Sequence, residues 1–297
     1  MVDLRIAVFT KNRSNPAYEA ARMGADRAAQ RLGAQATHWV PEVDDDPAEQ
    51  GALIDAALAA PPDAFVLIPV HPSRVNAAIE RIHAARVPVF GCVNPLPVGR
   101  AVTYVGSDDH ALGLEAANYL YRHLRGSGRV LLVAGPEDSV TSIARVRAFA
   151  EAARDTPGIE IAGTCLGHYH RERARQAVAH WLQAHDPIEA VLAANDAMAL
   201  GALEALRAAG RKAFVVGVNA VPEAVAAIRR GEMLASADFN AMGMAALATE
   251  CAVRHLRGER VPESIELPVE IVERRNCSKW DLPYEQRPLP TLEEMTT

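Results

Sequence analysis

Hydrophobic and polar positions alternate with two different periods along the chain. Short apolar runs such as Leu4-Arg5-Ile6-Ala7-Val8-Phe9 read as strands, and the Ala-rich stretches between such runs read as amphipathic helices, the signature of βαβ units around a parallel sheet. Strands are expected at about residues 4–9, 35–40, 64–69 and 88–93, with helices at about 16–32, 47–59 and 73–86. The pattern then starts again. A second set of strands is expected near 129–134, 159–164, 189–194 and 213–218, with helices near 142–155, 171–185, 196–209 and 221–231.

The two sets can be laid on each other. Pro62-Asp63-Ala64-Phe65-Val66-Leu67 matches Pro187-Ile188-Glu189-Ala190-Val191-Leu192, and Val89 to Asn94 matches Val215 to Asn219, at an offset of 125 to 126; Arg5 and Arg129, which open the first strand of each set, lie 124 apart. The fold class expected is therefore α/β, with two tandem doubly wound parallel-sheet lobes, a hinge and an interlobe cleft. Segment 102–107, after the fourth strand of the first set, is the expected first crossing between lobes; the segment after Leu234 and the strand Leu267 to Ile271, which have no partner in the repeat, are further candidate crossings. This divides the chain into residues 1–105 plus about 238–265, and 106–237 plus about 266–297.

Composition narrows the classes. With 297 residues, 49% of them hydrophobic, the chain can bury two cores, and 31 basic against 37 acidic residues give a net charge of −6 without any basic block to bind nucleic acid. Its apolar runs are too short to span a bilayer. Cys92, Cys165, Cys251 and Cys277 are scattered and read as buried free thiols rather than a metal site. His168 and His170 lack the acidic or cysteine partner that a metal pair needs. No elbow, dinucleotide or phosphate-binding motif is present, so no catalytic constellation and no cofactor is expected.

Ligands of open parallel sheets collect beyond the carboxyl ends of the strands, so residues there are the candidates. After the first strand come Lys11, Asn15 before Pro16, and Tyr18; Asn15 also reads as a helix cap. Asn94 and Asn219 end matching strands, and amides suit a ligand rich in hydroxyls. Asn195 closes the third strand of the second set, with Asp196 placed to cap the next helix, and His71 lies in the corresponding region of the first. Arg145 lies in a helix whose Arg147 and Phe149 fall on other faces; taken alone it reads as a solvated arginine. Only 15 residues are aromatic, so Tyr18, Tyr169 and Phe239 near strand ends stand out as rings for a sugar face.

Over about residues 4–272 the chain resembles the ribose-binding-protein group of type I periplasmic binding proteins, the sugar-capturing subunits of bacterial ABC importers, whose fold LacI-type effector domains share. The resemblance rests on Asn15-Pro16 with Tyr18, on Gly106-Ser107-Asp108-Asp109, on Ser142 to Arg145 with Phe149, and on Asn195-Asp196-Ala197-Met198-Ala199-Leu200-Gly201-Ala202-Leu203. It implies sugar contacts from Asn15, Tyr18, Asn94, Arg145, Tyr169, Asn195, Asn219 and Phe239 or Asn240. Ribose binders place Asp where Asn94 and Asn219 stand, Phe where Ala17 and Tyr18 stand, and Gln near Phe239. The expected cleft is therefore more positive, and its ligand another sugar, a polyol or a sugar acid rather than ribose.

The partners implied are that ligand and the permease of an ABC transporter, for a monomeric, non-enzymatic protein. A signal-peptide pattern is not seen before Leu4, which leaves a cytosolic protein or an exported one without its leader; the resemblance implies the periplasm. A sensing domain of a LacI-type regulator or chemoreceptor system, and a cytosolic sugar-processing enzyme, are the alternatives. The tail after about Glu273 is expected to pack along the surface.

Overall fold

The computed structural model describes residues Leu4–Thr296. The terminal residues 1–3 and 297 of the expected lobes lie outside the described residues. In chain order, the first run of elements is β1 (Leu4–Phe9), α1 (Pro16–Arg31), β2 (Ala34–Trp39), α2 (Pro47–Ala59), β3 (Ala64–Leu67), α3 (Asn76–Ala84), β4 (Val89–Cys92) and β5 (Thr103–Gly106). The second is α4 (Asp109–His123), β6 (Ser127–Ala134), α5 (Val140–Arg154), β7 (Gly158–Leu166), α6 (Arg171–Ala184), β8 (Ala190–Ala193), α7 (Asp196–Ala208), β9 (Phe214–Val218), α8 (Pro222–Arg229) and β10 (Ala235–Asp238). Then follow α9 (Ala241–Leu256), β11 (Ser264–Glu266), β12 (Glu270–Glu273), a 3-10 turn (Cys277–Lys279) and α10 (Leu292–Thr296).

Side-chain caps set many of the helix starts. Asn15 and Asp46 each precede a proline and accept from Ala17 and Glu49 N–H, while Asp108, Ser139, Asn195 and Asn240 cap α4, α5, α7 and α9. Asn195, not Asp196, is the cap of α7.

Two compact units result. The first comprises the described residues up to Ser107, Asn240–Leu267 and those from Tyr284 on; the second comprises Asp108–Phe239 and Pro268–Pro283. In the first, a six-stranded sheet runs β2-β1-β3-β4-β5-β11, parallel throughout. In the second, the order is β7-β6-β8-β9-β10-β12, with only β12 antiparallel. The fifth strand of each run is followed by a helix: α4 lies against β9, β10 and β12 within the second unit, and α9 against β3, β4 and β5 within the first. Neither helix was expected, because the match between the two runs in sequence stops at their fourth strands. Helices α1 and α9 pack so closely that a Cβ on Gly24 would stand 2.1 Å from the Met242 carbonyl oxygen, which is why glycine is needed there.

The repeat extends to individual contacts. Arg5 N–H donates to Asp63 at 2.7 Å and its guanidinium to the Pro61 carbonyl at 2.6 Å; Arg129 does the same with Glu189 at 2.6 Å and Pro187 at 3.0 Å. These pairs set the third-strand offset at 126, so the match of Pro62 with Pro187 is one residue out; adjacent prolines at 61 and 62 make both registers plausible by sequence. The fourth strands follow suit. Val102 and Leu234 N–H donate to Val89 and Val215, and Val93 and Asn219 N–H donate to Val105 and Ala237, so Asn219 is the ladder counterpart of Val93, one step before Asn94.

The tail departs from expectation. Trp280 is buried in the second unit, its indole N–H donating to Asp238 at 2.7 Å, but from Tyr284 the chain joins the first unit, where Leu292 is buried and Glu293 pairs with Arg254 at 2.7 Å. Buried anchors, rather than loose surface packing, hold it, and residues 284–296 do not belong to the second lobe.

Candidate functional site

Because the strands are parallel, the loops after β1, β3 and β4 leave one edge of the first sheet, and they carry Lys11, Asn15, Tyr18, His71 and Asn94. Lys11 is buried and its carbonyl accepts from Asp45 N–H at 3.2 Å. Asn15 caps α1 and its carbonyl accepts from Tyr18 N–H at 3.0 Å, so cap and ring are one turn. Asn12, which sequence reading passed over, fixes this loop: its Nδ2 donates to Asp45 at 2.9 Å and its Oδ1 accepts from Asn15 N–H at 3.0 Å. His71 uses Nδ1 to accept from Ser73 and Arg74 N–H at 3.1 and 3.0 Å, which shapes its own turn. Asn240 stands at the start of α9 in the left-handed region, φ 58°, capping through Gly243 N–H at 2.9 Å.

The end of β4 is strained. Val93, a β-branched residue, sits at φ 61°, held by Val105 and by the Tyr104 hydroxyl, which donates to its carbonyl at 2.9 Å. Such a backbone costs on the order of 1–3 kcal/mol and concentrates at functional positions. What it presents is Asn94, 4% exposed, whose Oδ1 has no hydrogen-bond partner. The end of β9 repeats the device, with Asn219 at φ 116°, Ala220 at φ 50° and a buried Asn219 Oδ1 that also lacks a partner.

In the second unit, the segments after β6, β7, β8, β9 and β10 supply Arg145, Tyr169, Asn195, Asn219 and Phe239. Four of these form one network. Arg145, 4% exposed, donates from Nη1 to the Ala194 carbonyl at 2.8 Å and lies over the Phe239 ring, 5.4 Å from its centre. The next residue, Asn195, caps α7 through Met198 N–H at 2.9 Å and donates from Nδ2 to the Tyr169 carbonyl at 3.4 Å. The Tyr169 ring lies against Gly135, where a Cβ would come within 2.6 Å, and its hydroxyl meets Thr141 Oγ1 at 2.8 Å.

Several expectations need correction. Arg145 is not solvated, and Phe149 shares its buried face, as residues four apart on a helix do, while Arg147 points out. Phe239 is buried, with a face committed to Arg145. Asp196 is fully buried and accepts from Ser236 Oγ at 2.7 Å and Val221 N–H at 2.9 Å; burial pushes its carboxyl up to about 7 against those two bonds, with Asp238 adding to the rise. The positive charge of Arg145 is also answered: Asp109, the first residue of α4, takes both Nε at 2.8 Å and Nη2 at 2.7 Å.

Comparison with known proteins fixes the family. The profile of the periplasmic binding protein domain matches residues 6–260. The chain belongs to that family. Its members are solute-binding proteins, and the ribose-binding-like type I architecture described above is theirs. The ribose import binding protein RbsB of Bacillus subtilis is 25% identical over 269 residues, covering 91% of this chain and 87% of that protein. A D-ribose/D-allose-binding protein of Pseudomonas aeruginosa is 29% identical over 226 residues, covering 74% and 70%. An ABC transporter solute-binding protein of Mycobacterium smegmatis, solved with bound glycerol, superposes with a TM-score of 0.85 at 28% identity, covering 93% of this chain and 96% of that one.

Proposed function

We propose that this periplasmic binding protein is a receptor for a sugar or polyol, which is handed, chemically unchanged, to the permease of an ABC importer outside the cytoplasm. One observation carries the reading. Asn94 and Asn219 stand at the strained ends of β4 and β9, each with a buried amide oxygen lacking a partner. An unpaired buried acceptor costs roughly 1–3 kcal/mol, a penalty that a ligand hydroxyl repays. The names of two relatives, a ribose import binding protein and a D-ribose/D-allose-binding protein, support the ligand class, as does the glycerol bound in the Mycobacterium smegmatis solute-binding protein. Around these acceptors, Tyr18 and Tyr169 supply half-exposed rings and Asn15, Asn195 and Arg145 supply polar edges.

A thermal-shift screen against pentoses, hexoses and polyols tests this directly. A ligand at 100 times its dissociation constant raises stability by about 2.7 kcal/mol. A screen in which no sugar or polyol raises the melting temperature contradicts the proposal.

A further inference from the structure

Asp109 is a specificity residue, we infer, which makes the site refuse sugars that carry a carboxylate; the inference rests on the sugar-receptor reading. The second unit contains one buried arginine among its strand-end residues, and in isolation that arginine would be an anion-binding fork. The structure spends the fork on the protein. Nε and Nη2 of Arg145 both bond a single oxygen of Asp109, Nη1 is taken by the Ala194 carbonyl, and the guanidinium plane rests on Phe239.

Asp109 is held where it can do this. It is the first residue of α4, directly after the cap Asp108, whose Oδ1 accepts from His110 and Ala111 N–H at 2.8 and 3.0 Å. Helix α4 is in turn locked to α5, since a Cβ on Gly113 would fall 2.9 Å from the Arg145 carbonyl oxygen. The carboxylate is 19% exposed and the guanidinium 5%, so the pair is screened far less than a surface pair.

Two consequences follow for the ligand. The pair is neutral, so Arg145 offers polar N–H edges without net positive charge, which suits a hydroxyl. A ligand carboxylate approaching Arg145 would instead meet the Asp109 charge close behind it, in a partly desolvated setting where like charges repel strongly. The unpartnered groups point the same way. Asn94 Oδ1 and Asn219 Oδ1 are acceptors, which need O–H donors and repel an anion. The site thus keeps a buried arginine without becoming an anion site, because Asp109 cancels its charge.

The experiment is calorimetric titration of the wild type, Asp109→Asn and Asp109→Glu with D-ribose, D-allose and myo-inositol and with D-ribonate, D-gluconate and D-glucuronate, melting temperatures being recorded for each protein. The wild type is expected to bind a neutral compound at least tenfold tighter than any acid. Asp109→Asn should narrow that ratio by at least tenfold, and Asp109→Glu should restore most of it. A purely structural role would lower affinity for both classes alike and leave the ratio unchanged, which would overturn the inference, as would a wild type that binds an acid as tightly as a neutral sugar. Binding of neither class by the folded wild type would instead overturn the sugar-receptor reading, and this inference with it.

Discussion

Arg145 Nη2 lies 2.7 Å from Asp109 Oδ1, joining the second turn of α5 to the first residue of α4. This ion pair, with the Ala194 carbonyl and the Phe239 ring, sets the guanidinium among the strand ends of the second unit. Arg145→Ala should weaken sugar binding by about 1.5–3 kcal/mol, the usual value of hydrogen bonds to a charged group. It should also lower stability by about 2 kcal/mol, since Asp109 loses its partner while remaining partly in contact with water. Calorimetry and urea unfolding of the same variant separate the two effects; unchanged affinity removes Arg145 from the site.

Asp196 gives the second unit a pH-dependent stability. An unfolded aspartate titrates near ~3.9, whereas the buried carboxyl titrates at about 7. Between these values the folded state keeps a proton that the unfolded state has released. The contribution is therefore complete below the unfolded value and is lost as pH rises through about 7. The groups facing it are Ser236, Val221 N–H, Asp238 and Arg145. Asp196→Asn should flatten the slope between pH 5 and 8 by roughly 2 kcal/mol, read as the change in urea midpoint at the two pH values. Equal slopes in wild type and variant would contradict the assignment.

The tail is a second testable contribution to stability. Leu292 is buried against the first unit, its N–H donating to Glu250 at 3.3 Å, and Arg27 Nη1 donates to the Tyr284 and Arg287 carbonyls at 2.9 and 2.8 Å. Leu292→Ala should cost about 2 kcal/mol, from the transfer and cavity terms of a buried leucine at the edge of a core. Chemical denaturation checks it, and a loss below about 0.5 kcal/mol would show that the tail carries no load.

Much of the fold was legible because it is local. The first four strands of each run, helices α1 to α3 and helices α5 to α8 follow from apolar periodicity and from caps such as Asn15-Pro16 and Asp46-Pro47, and their observed ends differ from the expected ones by a few residues. Helices α4 and α9 and strands β5, β10 and β11 escaped because the sequence match between the two runs stops at their fourth strands. The site was half legible. Strand-end position singled out Asn94, Asn219, Asn195 and Arg145, but the partnership of Arg145 with Asp109 spans 36 residues and that of Asp196 with Ser236 spans 40, distances over which sequence carries no pairing signal. Asp109 lies within Gly106-Ser107-Asp108-Asp109, yet its pairing with Arg145 depends on where α5 packs. Val93 could not be found as a strained residue either, since valine gives no hint of a positive φ.

The central claim is that the unpartnered amide oxygens of Asn94 and Asn219 take hydroxyls of a sugar or polyol. Its most direct test is calorimetric titration of the compound found by screening against the wild type, Asn94→Ala, Asn219→Ala and the double variant. Each single substitution should weaken binding by about 1 kcal/mol or more, roughly fivefold, because a ligand hydroxyl loses its acceptor. Asn94→Ala should not lower the melting temperature of the ligand-free protein, since the Oδ1 it removes is buried without a partner, whereas Asn219→Ala should lower it somewhat, because alanine is strained at φ 116°. Wild-type affinity in either single variant would contradict the account.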